Sequence, residues 1–476
     1  MPRIMYRSTQ GKSPVVDRKT AIFQPQPGDG GIYVPTYTPM FGDGEIYSLR
    51  GKSLPEVDFA CSYKFLKDEM PEEAIWDISQ NALDFPIPIV RAYDNTFLER
   101  QGMGPTGAFK DTAGRKLSNE ASYYTYRDNM GVTWLIVATS GDTGAAIRGG
   151  FYMIPGINVI IMYPREHVAP KQAGLMDRFG GNVLALSCDG VFDDLQYMAI
   201  QALGDPDLKK YKFWSANSLG IGRAEPQKVH AVYPLTNEEV MEFGEEPIFV
   251  VPSGNYGHTY AFNLARQMGA FGSQIVVANN PNNVFDRFMR TGKYEVVDMI
   301  PTISNAMAIA DPSNLRRIFD MYGGRLVKDR DFRTNTGKDI KVCRLDKMPD
   351  MAAIGDAMWT VTVTDDETKD AMLKLYEETG LAAESHTGVG LAATEKHKKM
   401  TGNKRKPYVV MSTAHEAKFP EILDELGIPF EEPEYMKGIL DKPSYAIPFS
   451  NDYADLKEFM LSGEAEKRIS EQMKAV

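Results

Sequence analysis

The chain has 476 residues, past the size at which a single hydrophobic core usually stops growing, so two or more domains are expected. Its 43% hydrophobic and 25% charged residues are ordinary for a globular protein, and no stretch approaches the roughly 18 apolar residues of a membrane span. A net charge of −11, from 53 basic and 64 acidic residues, argues against a nucleic-acid partner.

Residues 1–30 are polar and turn-rich, without the apolar core of a signal peptide near the start. Cys61, Cys188 and Cys343 are too widely spaced for a disulfide framework or a CxxC metal site, and the six histidines form no HExxH pair. No metal is expected, and a reducing cytoplasm fits this cysteine usage. Residues 32–35 read as a short strand ending at Pro35, and Pro55 and Pro71 mark two helix starts. Residues 1–95 are expected to form an N-terminal cap domain.

From residue 96 strands and helices alternate. A helix is expected over 106–124, then a buried strand over 131–138, a loop at 139–144 and a helix from Ala145. Strands follow at 158–163 and 182–186, with helices at 171–179 and 192–203. A later strand at 247–251 runs through a glycine-rich loop into a helix near His258, and 274–278 is again a strand. This order predicts an α/β protein with parallel sheets and helices on their faces. The expected division places 96–125 and 235–430 in a large domain, 126–234 in a small domain and 431–476 in a C-terminal arm.

Ligands of open α/β sheets bind at the carboxyl ends of strands. Two loops fit that rule. Thr139-Ser140-Gly141-Asp142-Thr143-Gly144 aims amides and hydroxyls at one place, which suits a carboxylate or phosphate as well as a plain helix cap. Ser253-Gly254-Asn255-Tyr256-Gly257 lets the backbone wrap closely around an anion, but lacks both the P-loop and the GxGxxG pattern. Asn217-Ser218 with Arg223 offers a further anion site, since a planar guanidinium suits phosphate. Ser412-Thr413 ends an apolar strand and presents hydroxyls. His386, in Glu384–Gly390, reads as structural. Lys110 sits in Gly104-Pro105-Thr106-Gly107-Ala108-Phe109-Lys110-Asp111, a glycine-flanked and partly apolar setting. It is either a surface lysine after a turn or a desolvated amine with a lowered pKa, fit for imine chemistry. Two anion cradles and one such lysine suggest a phosphorylated cofactor held as an imine.

In order along nearly the whole chain, these stretches and Tyr6–Thr9, Asp29–Pro35, Ser215–Ser218, Pro312–Asn314, His386–Gly390 and Ser412–Phe419 resemble the threonine synthases of the longer bacterial and fungal type. Those are fold-type II enzymes of pyridoxal 5'-phosphate (PLP), related in fold to the tryptophan synthase β chain, with two parallel-sheet domains. The resemblance implies Lys110 as the imine-forming lysine and Ser253, Gly254, Asn255, Tyr256 and Gly257 around the cofactor phosphate. It also implies Thr413 at the pyridine nitrogen and Asp142 near the phenolic oxygen. Thr139, Ser140, Thr143, Asn217, Ser218 and Arg223 would hold the substrate. The implied reaction converts O-phospho-L-homoserine and water to L-threonine and phosphate, in a cytoplasmic monomer or homodimer with small-molecule partners only.

Several positions depart from the family pattern. Met103 stands where histidine is common, Gly107 where leucine is usual, His258 where asparagine or aspartate is common, and Gly388 where alanine is usual. Leu219-Gly220-Ile221-Gly222 replaces Ile-Asn-Trp-Ala. A paralogous PLP-dependent lyase or synthase acting on another phosphorylated or γ/β-substituted amino acid therefore stands as the alternative.

Overall fold

The structure, a computed structural model, describes residues 3–139, 141–270, 272–334 and 339–475, apart from the side chain of Asp142. It is mixed α/β and built on two largely parallel sheets. The larger has six strands in the order Met358–Thr362, Gln274–Asn279, Ile248–Pro252, Tyr408–Ser412, Thr96–Arg100, Ile89–Tyr93. All neighbours are parallel except the last pair. The smaller runs Ile447–Phe449, Val183–Cys188, Ile157–Pro164, Thr133–Ala138, Phe213–Trp214, all parallel. The central strands are buried along their whole length, as Ile248–Pro252 and Tyr408–Ser412 show. Continuous apolar runs such as Ile248-Phe249-Val250-Val251 are what a sheet covered by helices on both faces requires.

Sequence and structure agree on most of this alternation but differ at points that matter. The helix expected from residue 106 starts at Lys110 and runs to Arg127. Gly107 takes φ +66°, outside helical space, so the chain stays a loop until the lysine. The helix expected from Ala145 starts at Asp142. Ile89–Tyr93, from the segment expected as cap, forms a hairpin with Thr96–Arg100. Ile447–Phe449, from the segment expected as a C-terminal arm, pairs with Val183–Cys188. Arg325–Arg333 and Asp339–Lys347 form an antiparallel ribbon whose outer half is charged and exposed and shows no alternation in the sequence.

The N-terminal helices Leu54–Leu66 and Glu72–Ala82 pack against the Lys110–Arg127 helix through buried charge as well as apolar surface. Lys116 donates to Asp58 and, at 2.7 Å, to Ser62 Oγ, with lysine and aspartate both fully enclosed. Arg18 donates to both oxygens of Glu120 at 3.0 Å and to Glu225 at 2.6 Å, again out of solvent. Among the described residues no helix is long and apolar enough to cross a membrane.

Candidate active site

Lys110 is the first residue of its helix and is half-buried. Its loop is pinned to the end of the Tyr408–Ser412 strand. The Phe109 amide donates to the Thr413 carbonyl oxygen at 2.9 Å, and the His415 amide donates to the Gly107 carbonyl at 2.9 Å. Ala108 and Ala414 form the bridge between them. Two regions chosen separately from the sequence, Lys110 and Thr413, thus meet at one point. Gly107 also has a steric reason to lack a side chain: a Cβ there would collide with the Tyr435 hydroxyl and lie 3.1 Å from Lys418 Cδ. A leucine there would have to push the Tyr435 and Lys418 side chains aside and adopt a backbone at φ +66° that favours glycine.

The adjoining residue, Asp111, is fully buried. It accepts from the Thr106 amide at 2.9 Å and from the Thr106 hydroxyl. Burial raises its pKa against the pull of these bonds and of Lys418 and Arg148. Lys418 Nζ donates to the Thr106 carbonyl at 2.9 Å, closing the loop from the other side. Arg223 is buried, with Nη1 donating to the Ala216 carbonyl at 3.0 Å and Nε without a partner among the described residues. Burial pulls its pKa down to about 10, with the Asp111 charge opposing. Arg148, donating to the Leu175 carbonyl at 2.8 Å, is likewise pulled down to about 10 by burial. Buried guanidiniums around one carboxylate make the surroundings of Lys110 receptive to anions.

The second loop leaves the Ile248–Pro252 strand and opens the Gly257–Gln267 helix. Tyr256 sits in the left-handed region at φ +57°, which turns the chain back over the helix start. Among the described residues none accepts a hydrogen bond from the amides of Gly254, Asn255, Tyr256 or Gly257. Gly254 lies against backbone: a Cβ there would be 2.6 Å from Met307 Cα and 3.1 Å from the Ala306 carbonyl oxygen. That wall is itself held, since the Ala306 amide donates to His386 Nε2 at 3.1 Å. His386 in turn pairs with the buried Glu384 carboxylate, which also accepts from Thr387. Burial raises the Glu384 pKa, but His386 and the bonds from Thr387 outweigh it and leave the carboxyl below its usual range. His386 thus braces the Ala306–Met307 wall behind Gly254.

Asn255 Nδ2 donates to Ser218 Oγ at 2.6 Å, and Asn255 Oδ1 accepts from the Ser313 amide at 2.6 Å. The Asn217–Ser218 segment therefore borders the second loop. Asn314 and Arg317 donate to the Ser218 and Leu219 carbonyls, at 3.2 Å and 2.5 Å, and hold it there. Thr139 behaves differently. Its hydroxyl accepts from the amides of Gly141 and Gly144 at 3.0 and 2.9 Å, so it organises its own loop. Thr143 is half-buried on the first turn of the following helix. Ser140 and the Asp142 side chain lie outside the described residues. In the altered 219–222 stretch, Ile221 is fully buried and a Cβ on Gly222 would lie 2.7 Å from Leu117 Cδ1. Those two differences from the family sit in the core. Asp111, Arg148, Lys418 and Asn314 had no assigned role in the sequence; a buried charge in a loop motif was the available signal for Asp111 alone.

Residues 85–334, over half of the chain, match the family model described as pyridoxal-phosphate dependent enzyme. The chain belongs to this family. Models described as threonine synthase N terminus and threonine synthase, C-terminal match residues 5–83 and 387–460 of this PLP-dependent enzyme. It is 28% identical to threonine synthase of Escherichia coli (strain K12), over 91% of this chain and 93% of that one. It is also 28% identical to that of Saccharomyces cerevisiae (strain ATCC 204508 / S288c), over 92% and 91%. A PLP-bound threonine synthase structure from Brucella melitensis superposes with a TM-score of 0.84 at 27% identity, covering 96% of this chain and 98% of that one. The yeast threonine synthase structure gives 0.85 at 25% identity, covering 97% and 99%. The fold is that of the fold-type II PLP enzymes, and the residues present fit the cofactor. Gly254 provides a cradle that any Cβ would fill, beside amides with no acceptor among the described residues, and a half-buried lysine starts a helix next to the Thr413 strand end.

Proposed function

We infer that this chain is a threonine synthase, a PLP-dependent carbon–oxygen lyase that converts O-phospho-L-homoserine and water to L-threonine and phosphate. The observation that carries the reading is the meeting of the Lys110 loop with Thr413 through the Phe109 amide and the Gly107 carbonyl. It occurs in a chain matched by threonine synthase models at both ends.

When bound, PLP supplies an aldehyde for amines and a sink for the electrons of a carbanion. The amides of Gly254 to Gly257, at the positive end of the Gly257–Gln267 helix, would hold its phosphate, with Ser253 bracing the loop through its hydroxyl contact with Thr259 at 2.6 Å. The Thr413 hydroxyl would meet the ring nitrogen, and Asp142 would lie near the phenolic oxygen. Arg223, with Asn217, Ser218, Thr139, Ser140 and Thr143, would bind the substrate's phosphate and carboxylate. Lys110 Nζ would take the proton from the substrate α-carbon and shuttle protons at the β-carbon. The γ-carbon–oxygen bond breaks and phosphate leaves with its electron pair. The γ-carbon then takes a proton and becomes the methyl group, water adds its hydroxyl at the β-carbon with its other proton going to the released phosphate, and a proton returns to the α-carbon. Closure of the small-sheet body over the larger would keep other water away meanwhile.

A small amino-acid phosphate as the only ligand besides PLP, a monomer or homodimer, and a cytoplasmic location complete the reading. The three free, buried cysteines agree with a reducing compartment. Incubating the purified protein with PLP and O-phospho-L-homoserine tests it: threonine and inorganic phosphate should form in equal amounts. Phosphate without threonine would reject the synthase in favour of a lyase.

A further inference from the structure

His258 is on the first turn of the Gly257–Gln267 helix, directly after the glycine-rich cradle. Its ring stacks on Phe109 with centroids 4.9 Å apart and planes 11° from parallel. Phe109 immediately precedes Lys110, whose Nζ lies 5.8 Å from the same ring centroid. The Phe109 amide is the donor to Thr413. Phe109 is therefore a hub: its backbone reaches the Thr413 end of the site, its ring reaches His258 next to the cradle, and its neighbour is the lysine.

His258 is held in turn by edge-to-face contacts with Phe262 at 5.0 Å and His230 at 5.4 Å. His230 is fixed by Glu99, Nδ1 to Oε1 at 2.8 Å. Among the described residues, neither ring nitrogen of the buried His258 has a hydrogen-bond partner. What the residue offers its surroundings is its flat face. Burial, with His230 adding to it, holds the imidazole well below its usual pKa, so no second positive charge is set behind the lysine. The short asparagine or aspartate common at this position in the family could not make the same stack.

We propose that His258 is a positioning residue which, through its stack on Phe109, fixes the span between the Lys110 amine and the Gly254–Gly257 cradle. The inference rests on the PLP reading above, because that span matters when one ligand must reach both ends. An amine misplaced by about 1 Å loses on the order of 10²-fold in rate. Loss of the stack should therefore act on amine attachment and turnover more than on substrate binding.

The test compares wild type, H258A, H258F and F109L. The readouts are PLP affinity by absorbance titration, PLP fixed on the Lys110 peptide after borohydride reduction (by mass), and kcat and KM. For H258A we expect attachment and kcat to fall about tenfold with KM little changed, and H258F, which keeps the flat face, to restore both. F109L should match H258A, and the double variant should be no worse than either single one, as for two members of one contact. H258A that binds and fixes PLP like wild type, even with a lower melting temperature, overturns the proposal. So do additive effects of H258A and F109L. If H258A does not fold, H258N replaces it in every arm. Fixation on Lys110 needs no substrate, so wild type that fixes PLP but does not turn over phosphohomoserine counts against the threonine synthase reading alone.

Discussion

The Phe109 amide donates to the Thr413 carbonyl oxygen at 2.9 Å, joining the lysine loop to the end of a strand some three hundred residues later in the chain. With the reciprocal bond from His415 to Gly107, it fixes the backbone on which Lys110 stands. Replacing Lys110 by alanine leaves that backbone intact. K110A should fold with a near-wild-type melting temperature, lose the visible absorption of bound PLP, and lose turnover by at least the 10²–10⁴-fold, roughly, that proton shuttling contributes. A coloured, active K110A would show that another amine does the work.

Gly254 has backbone behind it rather than a movable side chain. G254A should displace the Ala306–Met307 wall or the cradle itself, at a cost of about 1–3 kcal/mol in stability. PLP affinity should drop more steeply than that figure implies, because the cradle amides move with the loop. Chemical denaturation without cofactor, beside PLP titration, separates the two effects; equal losses in both would mean that the cradle does not bind the phosphate.

The Lys116–Asp58 pair lies between the N-terminal helices and the helix that Lys110 begins. K116M leaves a buried carboxylate unpaired and should destabilise the protein by about 3–5 kcal/mol. The double variant D58L/K116M should recover most of that loss, since an apolar pair of similar volume needs no compensation. Urea midpoints of the three proteins decide the matter, and a double variant no better than K116M would place the cost in packing.

His397 is buried between Tyr408 at 2.9 Å and Gln274 at 3.1 Å. Burial lowers its pKa to about 4, against about 6.5 for an unfolded chain. The folded state thus favours the neutral ring. Its contribution is complete above about pH 6.5 and is lost as pH falls towards about 4, where the unfolded chain binds the extra proton. H397Q should be less sensitive to acid over that window, measured as the change in unfolding free energy with pH. An identical slope in both proteins would assign the acid sensitivity to other groups.

The alternating strands and helices were legible because each central strand is apolar on both faces, which local sequence records directly. The cradle loops were legible because glycine and hydroxyl residues cluster there for backbone reasons. What the sequence could not express were pairings. Nothing near Phe109 announces Thr413 or His258, and nothing near Asn255 announces Ser218, because those contacts are set by how the sheets stack. The strand Ile447–Phe449 escaped notice because three residues around a proline carry no periodicity. The 219–222 stretch looked like an altered pocket, yet Ile221 and Gly222 are core positions, a matter of which side of a turn faces inward.

The pairing of Ile447–Phe449 with Val183–Cys188 has a consequence during synthesis. The small sheet keeps an open apolar edge until Ile447–Phe449 has left the ribosome, and the large sheet waits for Tyr408–Ser412 to enter between Ile248–Pro252 and Thr96–Arg100. An emerging chain therefore displays unpaired strand edges through most of translation, a state prone to association. Stalled nascent chains ending before residue 447 should recruit chaperones and remain protease-sensitive in their 133–188 region, while released chains that carry Ile447–Phe449 should not.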